Sequence, residues 1–190
     1  MIIIMLIQTG MRRGECCDLT WSDIDFDNNT ISINKSLLYL PERGVFEDTP
    51  KNESSVRIIK VGSKLMKELQ AYKQWQNETA QKVIDSGKTW ENTDRVFASY
   101  NGGNINPGTV TAWFHRFINE NDLPYVSIHD LRHTNATLMI YQGLPITTAA
   151  KRLEHSTPAT TAKIYIHAVE EADARAAEHF DDLLERDDEE

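Results

Sequence analysis

The chain has 190 residues, 40% of them apolar and 26% charged, with a formal net charge of −9. That length holds one full core with an added element, and the 4 Trp, 6 Tyr and 6 Phe exclude an intrinsically disordered class. Residues 170–190 carry eleven acidic and two basic side chains, so the whole excess lies in a tail. A balanced body leaves a nucleic-acid partner open.

The opening MIIIMLIQTG reads as a buried helix that stops at Gly10. Its apolar run is far shorter than the roughly 20 residues a membrane span needs, and it has neither the basic lead nor the cleavage site of a signal peptide. A short helix follows around RGECCDL. Its adjacent Cys16 and Cys17 make no metal-ligand or disulfide spacing and point to a reducing cytoplasm. DIDFDNNTISI supplies an Asp-Asn-Asn turn before a strand read over ISINKSLLYL. PERGVFEDTPKNES reads as a polar loop, and SVRIIKV as a second strand, antiparallel to the first. SKLMKELQAYKQWQNETAQKVIDSG is a long helix with Leu65, Leu69 and Tyr72 on one face and Gly87 past its end. RVFASYNGGNINPGT gives a short strand and a Gly/Asn loop, and TVTAWFHRFINEN a helix. From Ser127 onward the pattern is helical, in four short pieces. Trp21, Trp75 and Trp113 are read as core or half-buried aromatics, and Met5, Met11 and Met66 as core. There is no internal repeat, no low-complexity segment and no linker, so one domain is expected.

The helix starts gather the chemistry. Ser127 and Asp130 form a capping box that starts a helix at about Ile128 and sets His129 and Arg132 on one face of its first turns. Thr157-Pro158 is a second start signal and puts Tyr165 about two turns into the next helix. Arg12 follows the Gly10 stop, and Lys51 lies in the polar loop. Singly, each has a bland reading. Arg12 could pair with Glu15, Arg132 with Asp130, Lys51 could be a solvated loop charge, and His129 and Tyr165 could be packing residues. Jointly they suit phosphodiester chemistry. A pentavalent phosphorus carries extra negative charge, which arginine meets with planar, permanent, bidentate donors. A tyrosine nucleophile makes a covalent aryl phosphate without a metal, and lysine or histidine can protonate the departing alkoxide. No acidic cluster resembles a two-metal site, and no GK[ST] loop suggests a bound nucleotide.

TGMRRGECCDLTWSDID resembles the first arginine box of the tyrosine recombinases, the phage-integrase family. HDLRHTNAT resembles their His-x-x-Arg box, and LEHSTPATTAKIYIH their closing box. The resemblance covers nearly the whole chain. It implies an α+β, mainly helical catalytic domain with a small antiparallel β-hairpin or sheet over residues 1–168, followed by a C-terminal amphipathic helix and acidic tail over 169–190. It implies that Arg12 and Arg132 clamp the scissile phosphate, Lys51 is the general acid, His129 assists proton transfer and His155 hydrogen-bonds a phosphate oxygen. Tyr165 attacks, leaving a 3′-phosphotyrosine and a free 5′-hydroxyl, with no cofactor. Glu15 matches an acidic position expected to be structural. The implied partner is double-stranded DNA, held by a homo-tetramer on paired sites that exchanges C-terminal helices, with DNA-bending or directionality factors as accessories. The implied setting is the cytoplasm, at the nucleoid, of a bacterium, archaeon or phage-infected cell.

Three features depart from that family's pattern. Glu154 stands where glycine usually precedes the second histidine, and a positive φ there would cost a non-glycine residue about 1 kcal/mol. The family's N-terminal DNA-clamping domain is absent, so the start of the catalytic domain reads as truncated. Lys35 and Lys60 lie near the same hairpin as Lys51 and compete with it. The reading is a site-specific recombinase of a mobile element. The alternatives are a chromosome-dimer resolvase, a type IB topoisomerase, or a non-catalytic DNA-binding remnant.

Overall fold

The structure, a computed structural model, describes residues 1–48, 56–91, 93–154, 159–166 and 169–170. The chain divides into two compact units, residues 1–135 and 136–190. The fold is α+β and mainly helical, with small antiparallel sheets.

In the first unit, α1 (Ile2–Thr9) ends at Gly10, whose φ of 66° is the left-handed cap the sequence suggests. α2 (Arg13–Asp18) follows at once, and a 3-10 turn (Trp21–Asp23) leads into β1 (Ile24–Asp25). β1 pairs antiparallel with β2 (Thr30–Ile33), which pairs antiparallel with β5 (Arg57–Lys60). β3 (Ser36–Leu40) and β4 (Gly44–Asp48) form a separate hairpin. α3 (Ser63–Asp85) buries Leu65 and Leu69, as its periodicity requires. α4 (Pro107–Glu120) starts where Asn106 accepts the Gly108 N–H, with Pro at the first position. α5 (Ile128–Tyr141) begins in this unit at the expected capping box, and the unit boundary falls within it. Met5, Leu6, Met11, Ile31, Leu37, Leu65, Leu69 and Val96 are among the side chains at the centre of the core. In the second unit, α6 (Ile146–Leu153) buries Ala149, Ala150 and Leu153, and a helical stretch covers residues 159–166.

Several expectations need correcting. ISINKSLLYL is two strands in two sheets. The break falls at Asn34-Lys35, where Asp23 takes an Asn34 amide N–H at 3.4 Å and the Lys35 ammonium at 3.7 Å. The chain turns from one sheet to the other at that polar tie. The loop PERGVFEDTPKNES holds strand β4. Its charges mask an apolar pairing, Val45 opposite Tyr39 and Phe46 opposite Leu38, closed by a turn with Gly44 at φ 72°. RVFAS is held by isolated bridges, Thr20 to Arg95 and Ala98 to Asn104, instead of a strand ladder. Trp21 is buried as expected, donating to Gln76 at 2.7 Å, but Trp75 and Trp113 are exposed, stacked on Tyr72 and Phe117.

Candidate active site

The site of the first unit is built on one corner. Gly10 stops α1, and the next residues, Met11 and Arg12, carry the chain into α2. Arg132, on the second turn of α5, is buried and donates from Nη1 to the Gly10 carbonyl at 2.7 Å. Asn135, one turn on, donates to the Ile7 carbonyl at 2.6 Å. Together they tie α5 to the last turn and cap of α1. The corner also sits hard against the hairpin. A Cβ on Gly14 would stand 2.6 Å from the Leu37 carbonyl oxygen, so only glycine lets α2 approach β3 this closely.

Arg12 is the residue before the first turn of α2. The Glu15 carboxylate accepts its backbone N–H at 2.8 Å and its Nη1 at 2.8 Å. The pairing that a bland reading supposes is therefore real. The Arg12 side chain nevertheless stays 48% exposed and lines a cleft. Glu15 itself is buried and also receives Arg57, Nη2 at 2.7 Å and Nη1 at 3.1 Å. Burial pushes the Glu15 carboxyl up, but the hydrogen bonds and charge of Arg57, with the bonds from Arg12, outweigh it and hold the group below its ordinary range.

The cleft has a volume of about 650 Å³ and is lined by Arg12, Arg13, Tyr39, Tyr125, His129 and Arg132 among others. His129 is exposed, and its ring meets that of His133 edge-on at 4.7 Å. Burial, and then the neighbouring His129, push His133 below the ordinary histidine range. The Ser127 hydrogen bonds hold Asp130 below the usual carboxylate range. Arg13 donates to Thr111 across the cleft at 2.5 Å. Among the described residues no group of three or more His, Cys, Asp or Glu side chains could hold a metal ion.

The structure thus brings three of the expected residues, Arg12, His129 and Arg132, to one cleft. Tyr165 lies in the second unit, half-buried on the helical stretch 159–166. Glu154 ends α6 with φ 55° and ψ 43°, the left-handed geometry that its departure from glycine makes costly. Lys51, His155 and the Thr157-Pro158 helix start lie outside the described residues, as does the tail from 171. The two competing lysines do not line the cleft: Lys35 is engaged with Asp23, and Lys60 is on β5. Sequence reasoning missed Arg57, Tyr39 and Tyr125. Arg57 had a signal: it shares strand parity with the inward Ile59, so an arginine had to face inward.

Comparison with known proteins adds a decisive observation. The family model described as the phage integrase family matches residues 1–172. The chain belongs to the phage integrase family. Within it, the chain is 28% identical to a tyrosine recombinase XerC-like protein of Caldanaerobacter subterraneus, over 96% of this chain and 49% of that protein. It is 31% identical to the ICEBs1 integrase of Bacillus subtilis, over 93% of this chain and 46% of that protein. The solved structure of the Tn1549 transposon integrase in complex with transposon right end DNA aligns with a TM-score of 0.70 at 26% identity, over 92% of this chain and 57% of that one. The chain spans about half the length of the curated relatives it matches.

Proposed function

We propose that the chain carries the strand-cleaving and rejoining chemistry of a site-specific DNA recombinase that moves a mobile element. The observation that carries this is the meeting of Arg12, His129 and Arg132 at one cleft. Two permanent cations there oppose the charge of a pentavalent phosphorus. Tyr165 would attack the phosphorus, forming a 3′-phosphotyrosine while the 5′-oxygen leaves with a proton from Lys51 or His129. His155 would hydrogen-bond a non-bridging oxygen. Reversal by a new 5′-hydroxyl rejoins the strand and needs no outside energy source. The integrase and transposase relatives favour a mobile element over chromosome-dimer resolution. The partner is then double-stranded DNA, bound by a tetramer on paired sites.

The test uses nicked duplexes selected from a random pool for binding to the chain. The nick lets the short 5′-strand diffuse away, so a covalent adduct accumulates. Wild type should form it and Tyr165→Phe should form none while binding equally well. With a 5′-bridging sulfur, whose thiolate leaves without a proton, Lys51→Ala should regain near wild-type cleavage, and Arg12→Ala should not. Rescue of Lys35→Ala or Lys60→Ala instead would move the general acid. Binding without any adduct would favour a non-catalytic remnant, a reading that the strained Glu154 supports.

A further inference from the structure

We infer that Arg57 is a positioning residue for Arg12, acting through Glu15; the inference rests on the proposal that Arg12 binds the scissile phosphate. Glu15 carries one negative charge and faces two guanidiniums. Arg57 meets it with two nitrogens, at 2.7 and 3.1 Å, from the inward face of β5. Its side chain is 10% exposed, against 48% for Arg12. The inner arginine thus meets the carboxylate with two prongs, and the outer one is oriented by it while still facing the cleft.

This division sets how tightly Glu15 holds Arg12. A carboxylate that already accepts a bidentate arginine attracts a second cation less strongly than a bare one would. The Glu15 contact of Arg12 then yields more readily to a phosphate. Without Arg57, the buried charge of Glu15 would lean on Arg12. It would draw that guanidinium inward, away from the cleft. The Arg12 backbone N–H is bonded to the same carboxylate, so the start of α2 would shift with it. A displacement on the order of 1 Å at a reacting group costs about 100-fold in rate.

The test measures the single-turnover rate of adduct formation, and the dissociation constant, on the selected nicked duplex with the full chain. Arg57→Met should slow cleavage about 10- to 100-fold while affinity changes less than about threefold. Arg57→Lys, which keeps the charge but not the two-pronged geometry, should fall between. The decisive variant combines Arg57→Met with Glu15→Gln. The neutral amide has no charge with which to hold Arg12, so the double variant should cleave at least about tenfold faster than Arg57→Met alone. Any supporting role for bulk packing would make the second substitution neutral or harmful. A double variant no faster than Arg57→Met, with both folded by circular dichroism, overturns the inference. So does an Arg57→Met rate equal to wild type. If Arg12→Ala cleaves as fast as wild type, it is the phosphate role of Arg12 that fails, and the two failures are thereby told apart.

Discussion

α2 carries two buried carboxylates three residues apart, and they have opposite surroundings. Glu15 accepts from Arg12 and Arg57, with donors on both of its oxygens. Asp18, one turn on, meets a different set of partners. Its Oδ1 is paired with Arg95, which also binds Glu47, and its Oδ2 is buried without a hydrogen-bond partner among the described residues. Glu15 is held below the ordinary carboxylate range. Asp18 is pushed up to about 6, by burial first and by the nearby charge of Glu47, against the pull of Arg95 and Lys35. One helix thus holds a carboxylate that receives two guanidiniums and one that shares a single guanidinium with Glu47. In the function proposed for this chain, Arg12 is the one of the two that meets the phosphate. The Asp18 network is a packing tie between α2, β4 and the segment around Arg95.

The sharpest break between the two networks is in activity against stability. Arg12→Ala should reduce adduct formation by about 10²–10³-fold. It should move the melting temperature little, since half of its side chain is already in water. Arg95→Met should do the reverse. It leaves Asp18 and the Asp18 carbonyl without their buried donor, at about 3–5 kcal/mol. Cleavage per folded molecule should stay at the wild-type rate. Single-turnover kinetics and urea denaturation on both variants check this. Equal loss of cleavage in the two variants would erase the distinction.

The second contrast is in pH dependence, where the two acids have opposite signs. The folded pKa of Asp18, about 6, is above its ordinary 3.8, so between those values the folded state binds more protons. Its contribution to stability falls as pH rises through that window, by up to about 3 kcal/mol. Glu15 is depressed when folded, so its contribution is present above its ordinary 4.5 and is lost as pH falls below that. Urea titrations at pH 3.5–7 should therefore show the stability gap between wild type and Asp18→Asn shrinking as pH rises. The gap to Glu15→Gln should grow. Parallel gaps would mean that the two carboxylates share one environment.

How much of this the sequence shows depends on how local the cause is. The cap at Gly10, the Ser127–Asp130 box and the face of α3 are decided within a few residues, and they are legible, whereas the Asn106-Pro107 start reads from the sequence as part of a loop. So is the grouping of Arg12, His129 and Arg132, because the boxes that carry them have a fixed order. The split of ISINKSLLYL and the strand inside the charged loop are not legible. The charges of the loop mask a hairpin partner that is next in sequence, and Asp23, which ties the break, stands eleven residues before Asn34 in the chain. The approach of α2 to β3 over Gly14 is hidden because the two elements are apart in sequence, and with it the place of Tyr39 on the cleft wall. Arg57 is the intermediate case: its inward parity is visible, but the identity of its partner is set by the pairing of β5 with β2.

The smallest expected effect tests whether backbone strain, as well as charge, separates the second unit from the first. Among the described non-glycine residues with positive φ, Asn29, Asp94 and Asp122 are of types that tolerate the left-handed region, and Glu154 is not. Its N–H still caps α6 by bonding back to the Lys151 carbonyl at 3.1 Å, so the geometry is fixed by the helix end and the residue must bear it. Its carboxylate also sits at the negative end of the α6 dipole. Glu154→Ala removes the charge and keeps the Cβ, and should gain at most a few tenths of a kcal/mol. Glu154→Gly removes both. It should gain about 0.5–1 kcal/mol more than the alanine variant, after the extra chain entropy of glycine is offset. Urea midpoints at constant m-value give the difference directly. Equal midpoints for the two variants would mean that the strain is absent. The same pair separates the chemistry: if both variants cleave faster than wild type, the Glu154 charge opposes the phosphate, whereas a gain in the glycine variant alone assigns the cost to the backbone that leads into His155.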